Sequence, residues 1–96
     1  MTDDELAASW LHGRPVHTQR AYCGDVARFR AFVGKPLGGV TLTDLQGFAD
    51  SLSGLSAKSQ ARVLGSVKSF FRFAVEQGYL PKNPTAGLRL PRGWTA

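Results

Sequence analysis

From Ser56 to Gly78 the chain reads SAKSQARVLGSVKSFFRFAVEQG, and its apolar residues recur at helical spacing. At about 100° per residue, Val63, Leu64, Val67, Phe70, Phe71 and Ala74 fall on one side. Lys58, Arg62, Ser69 and Arg72 fall on the opposite side, with Gly65 and Ser66 close by. Lys68 flanks that strip and Phe73 lies towards its other border. The pattern predicts a long amphipathic helix, with Ser56 as N-cap and Gly78 just past its end.

Three shorter helices are predicted before it. Thr2-Asp3-Asp4-Glu5 is a capping box, followed by an apolar edge of Leu6, Trp10 and Leu11 and a stop at Gly13. A second helix starts near Val16 or His17, after Pro15, and runs to Gly34. Its stripe is Tyr22, Val26, Phe29 and Val33, with Phe32 beside it. Lys35-Pro36-Leu37-Gly38-Gly39 reads as a loop. Thr41 or Thr43 caps a short third helix whose buried side is Leu45, Phe48, Ala49 and Leu52, and Ser53-Gly54-Leu55 is the next turn. Pro81 and Pro84 forbid a continuous helix after Gly78, leaving room for one short turn over residues 85–90. The pattern as a whole is all-α, four helices and no strands.

Charge sharpens this picture. The net charge is +5 over 96 residues. Residues 1–50 hold five bases against six acids, whereas residues 51–96 hold seven bases against Glu76 alone. That asymmetry points to a polyanionic partner on the C-terminal side, against the plainer reading of a solvated basic face. Ninety-six residues is one domain at most. No apolar run approaches the roughly 18 residues of a membrane span. The acidic start is not the pattern of a signal peptide. A single cysteine, Cys23, cannot form an internal disulfide and fits a reducing cytoplasm. Cys23, His12 and His17 lack metal-ligand spacing, and no cofactor is expected.

A basic strip with small residues along it suits a duplex. A helix of this length fits the roughly 12 Å major groove. The wheel, combined with the family pattern given next, makes Lys58, Arg62 and Arg72, supported by Lys68, candidate phosphate contacts, and the same combination selects the residues that follow. Ser59 and Ser66 are candidate donors to phosphates or base edges, and Arg62 is the candidate for a guanine contact. At the start of the second helix, His17, Thr18 and Gln19 have backbone amides suited to a phosphate, and Arg20 points away from the Tyr22 stripe. The rival reading makes Thr18 simply an N-terminal cap. Tyr22 and Tyr79 read as packing residues.

Two stretches resemble a known family. His17-Thr18, Tyr22, Asp25-Val26 and Phe29 are similar to the pattern H/N-T-x-x-x-Y-x-x-D-L-x-x-F. Ser56, Ser59, Arg62, Leu64, Ser66-Val67-Lys68-Ser69-Phe70-Phe71, Gly78, Asn83-Pro84 and Leu90-Pro91-Arg92 form the second. In order and spacing they resemble the N-terminal core-binding domain of tyrosine recombinases, the phage-integrase and Xer-type enzymes. Lys68 departs from the family, which has Arg there.

The resemblance implies a four- to five-helix SAM-like bundle over residues 1–92, with 93–96 beginning a linker to a catalytic domain. It implies a module that clamps one face of a double-stranded recombination site through the second and fourth helices. It also implies other recombinase protomers as partners of the full-length protein. The family's catalytic set is not expected in this segment, so the segment should be catalytically silent, and alone a monomer. Two other classes remain. One is a helical protein-interaction module with a basic surface, anchored by Trp10, Phe73 or Trp94. The other is a stand-alone helix-turn-helix regulator, disfavoured by the length of the fourth helix.

Overall fold

The computed structural model describes residues 1–88. The predicted linker at 93–96, the Leu90-Pro91-Arg92 motif and Trp94 lie outside these described residues. Four α-helices are observed: α1 (Asp3–Leu11), α2 (Val16–Val33), α3 (Leu42–Ser51) and α4 (Ala57–Glu76). Two short 3-10 turns, Leu37–Gly39 and Pro84–Gly87, complete the path, and no strand occurs among the described residues.

Local chemistry sets the helix ends. Thr2 accepts from the Glu5 amide at 3.1 Å, and Glu5 accepts from the Thr2 amide at 2.9 Å. The same reciprocal box, Thr41 with Asp44, starts α3 and settles the choice against Thr43. Between them Asp44 also pairs with Lys35 at 2.6 Å, which ties the α2–α3 connection to α3. Past α4, Gly78 has φ +73°. The Tyr79 amide bonds back to Ala74 and the Gly78 amide to Val75, a Schellman closure that needs a residue without Cβ strain. Gly34 ends α2 in the same left-handed region, at φ +62°.

The core is the meeting of the apolar sides of all four helices. Leu6 and Trp10 of α1, Val26 and Phe29 of α2, Leu45 and Phe48 of α3, and the whole predicted side of α4 are buried. Aromatic rings organise it. Phe29 meets Phe48 and Phe71 edge-on, at 5.2 and 5.6 Å between centroids. Trp10 stacks on Tyr22 at 4.6 Å and tilts against Phe70 at 5.1 Å. Tyr22 is therefore a packing residue. Tyr79 is too: it packs against the core and donates its hydroxyl to Asp3. Asp3 also accepts from the Leu37 amide at 3.0 Å, so one carboxylate joins the first helix to two later segments.

Three expectations change. Leu37 is fully buried and forms the 3-10 turn, so the Lys35–Gly39 stretch is not simply open loop: a leucine there has core to reach. Phe32, placed beside the α2 stripe, is 49% exposed, because it lies about 120° round the helix from Val26 and only touches Phe48 at the rim. Trp10 is buried, so it is not an exposed anchor for a protein partner.

Candidate nucleic-acid interface

The basic strip lies on α4, whose entire opposite side is committed to the core. That commitment fixes the helix's rotation, so the strip faces outward for a packing reason. At its start, Ser56 accepts from the Ser59 amide at 3.2 Å and donates its hydroxyl to Ser59 Oγ at 3.1 Å. Ser59 thus keeps its own hydroxyl proton for an outside acceptor. Lys58 is exposed and Lys68 half-buried, and neither has an ion pair among the described residues. Arg72 donates to Glu76 one turn on at 3.1 Å, a solvated pair that holds the guanidinium weakly.

Arg62 is different. Its Nη1 lies 2.9 Å from both carboxylate oxygens of Asp25 on α2. The Asp25 side chain is 7% exposed and that of Arg62 56%. The contact is end-on, so Nη2 and Nε keep their donors. Ser66 completes this polar seam, donating to Asp25 at 2.7 Å and to the Arg62 carbonyl at 3.1 Å.

Ser66 is therefore a correction. It was placed beside the basic strip, but it is buried where α2 crosses α4. Its wheel position, about 100° from Val67, faces α2 rather than solvent. It is removed from the interface.

At the start of α2 the N-cap is Pro15, and no side chain caps this end. Thr18 sits inside the first turn, so the reading of Thr18 as the cap is overturned. Gln19 is also corrected in part: its backbone amide bonds to Pro15 O at 2.9 Å and its side chain donates to Arg14 O at 2.7 Å. The first-turn amides suited to an anion are those of Val16, His17 and Thr18, one residue earlier than expected. His17 and Arg20 are exposed and Thr18 is partly buried.

Sequence reasoning missed two residues. Asp25 was quoted only as part of a pattern; an acid adjoining an apolar stripe is the signal for a buried pair. Arg14 enters the sequence reading only as one of the five bases of residues 1–50. It donates from Nε to the Trp10 carbonyl at 2.8 Å, and its guanidinium lies 5.5 Å from the Trp10 ring and 5.1 Å from the Tyr22 ring.

A four-helix bundle whose longest helix shows bases outward, locked to its neighbour by a buried carboxylate, defines a small helical module of the SAM-like class. Comparison with known proteins makes this specific. The family described as phage integrase, N-terminal SAM-like domain, matches residues 12–78, and the chain belongs to it. The chain is 38% identical over 85 residues to the tyrosine recombinase XerC of Mycobacterium bovis (strain BCG / Pasteur 1173P2), covering 83% of this chain and 28% of that protein. It is 38% identical over 101 residues to the XerC of Xylella fastidiosa (strain 9a5c), covering 96% of this chain and 34% of that protein. The chain thus spans about a third of the length of these curated relatives. No solved structure matches it. No helix among the described residues is long and apolar enough to cross a membrane.

Proposed function

We propose that this domain binds double-stranded DNA through the outer face of α4 and the start of α2, as the non-catalytic clamp of a site-specific tyrosine recombinase or integrase. The observation that carries this reading is the state of the cations on α4. Lys58 and Lys68 have no ion pair among the described residues, and Arg62 is held by Asp25 at one end only. Cations left unpaired on a helix whose rotation is fixed are suited to phosphates. Lys58, Arg62, Lys68 and Arg72 supply the charge, Ser59 a hydroxyl, and His17, Thr18 and Arg20 the α2 side. Arg62 keeps the donors for a bidentate contact to guanine. The strand breaking and rejoining of the whole protein would lie outside these 96 residues, with other protomers on the same DNA. The segment alone would be a cytoplasmic monomer.

The protein-interaction reading loses support from the burial of Trp10 and the packing of Phe73 against the core. The test is titration of a random-sequence duplex at 50 and 200 mM salt. With four to six phosphate contacts, affinity should fall on the order of 10²- to 10³-fold between the two. Amide shifts on adding duplex should concentrate at positions 58–72. A salt-independent interaction, or shifts that avoid α4, would sink the reading.

A further inference from the structure

We propose that the cleft between the α1–α2 turn and the C-terminal half of α4 is a seat for one backbone phosphodiester, built on Arg14. This rests on the reading of the domain as a DNA binder and adds to it a residue, Arg14, that lies outside the basic strip and meets the strip's Ser69 and Arg72 across the cleft.

The cleft holds about 240 Å³ and is lined by Arg14, Ser69, Arg72, Phe73 and Glu76. Arg14 is already oriented before any ligand arrives. Its Nε is spent on the Trp10 carbonyl, and its guanidinium carbon lies 5.5 Å and 5.1 Å from the ring centres of the stacked Trp10–Tyr22 pair. Trp10 belongs to the core and the partly buried Tyr22 packs against it, so the guanidinium rests on a fixed support. Its Nη groups have no protein partner among the described residues. An arginine held this way loses little further freedom on binding, and its free end suits a phosphate fork.

The other wall supplies matching groups. Ser69 accepts a long hydrogen bond from Trp10 Nε1 at 3.4 Å and keeps its hydroxyl proton to donate. The Arg72 side chain is 80% exposed, and only its solvated pair with Glu76 restrains it. Two guanidinium groups and a hydroxyl across a cleft are a phosphate donor set. Glu76 is the opposing element. Its carboxylate faces the same space and disfavours an anion, so the seat should strengthen when that charge is removed.

The experiment is fluorescence anisotropy of the 96-residue chain with a random-sequence duplex over a salt series. Arg14→Gln should reduce the slope of log affinity against log salt by about one. Glu76→Gln should tighten binding about two- to threefold through removal of a nearby like charge. Asp50→Asn, which removes an exposed acid on α3, should leave it unchanged. The Glu76 substitution is on an exposed residue, so it reports even if Arg14→Gln compromises folding. An Arg14→Gln slope equal to the parent's, or equal gains from Glu76→Gln and Asp50→Asn, overturns the seat while leaving the broader reading intact. A parent chain with no salt-dependent duplex binding overturns the DNA reading, and the seat with it.

Discussion

Arg62 Nη1 lies 2.9 Å from both oxygens of Asp25, so a single nitrogen of an exposed arginine satisfies a buried carboxylate. The two residues are on α4 and α2, which makes this the one ion pair across the principal helix contact among the described residues. Removing the arginine leaves Asp25 with only the Ser66 hydroxyl. Arg62→Ala should therefore cost about 1–3 kcal/mol of stability in urea denaturation, since a buried charge loses a partner while its own exposure to water moderates the penalty. Stability equal to the parent's would show that the pair does not hold the two helices together.

Ser66→Ala separates the fold from the proposed interface. Its hydroxyl is buried and donates to Asp25 at 2.7 Å, so its loss should cost about 1–2 kcal/mol. The salt dependence of duplex binding should not change, because no contact to phosphate is removed. A shallower salt slope in this variant would return Ser66 to the interface.

Most of the fold is legible in the sequence because short-range rules decide it. The capping boxes at Thr2 and Thr41, the N-cap at Ser56, the stop at Gly78 and the buried side of α4 all follow from residues within a turn of one another. The site is less legible because it depends on tertiary placement. Ser66 and Arg62 lie about 40° apart on the α4 wheel, and only the crossing of α2 decides that one is buried and the other half in water. Arg14 meets Trp10 only four residues back, but it joins a cleft with Arg72 only through the packing of α1 against α4, which no local pattern encodes.

The two α2 phenylalanines should behave very differently. Phe29 is fully buried between Phe48 and Phe71, whereas Phe32 is 49% exposed. Phe29→Ala should cost about 3–5 kcal/mol, enough to unfold much of a domain this small, and Phe32→Ala about 1 kcal/mol or less. Thermal melts followed by circular dichroism would measure both, and equal losses would contradict the packing described.

Stability should fall at both ends of the pH scale. Glu5 is held below its ordinary 4.5, first by the Thr2 amide, and Asp44 below 3.8, first by Lys35. Depressed carboxylates stabilise the fold above their unfolded values, and that contribution is lost as pH falls through the folded ones. Tyr79 is raised above 10.0, chiefly by its hydrogen bond to Asp3, so its contribution is complete below pH 10 and lost as pH rises beyond it. Melting temperature against pH should show both limbs. Glu5→Gln with Asp44→Asn should flatten the acid limb, and Tyr79→Phe the alkaline one. Limbs unchanged by these substitutions would place the titrating groups elsewhere.

Gly65 sits in the middle of α4 on its basic side, and a Cβ added there would meet nothing within 4 Å. Glycine in a helix interior costs about 1 kcal/mol relative to alanine, and no packing within the domain requires it here. Gly65→Ala should therefore stabilise the isolated domain by up to about 1 kcal/mol. If α4 lies against a sugar-phosphate strand, however, the missing side chain allows close approach of the backbone, and bulk at this position should hinder it. Gly65→Leu, which keeps good helix propensity, should also be at least as stable as the parent yet bind duplex several-fold more weakly, with no change of charge to account for the loss. The two effects have opposite signs, so urea denaturation and anisotropy on the same samples suffice. Duplex affinity unaffected by leucine at 65 would mean that this stretch of α4 does not face the DNA.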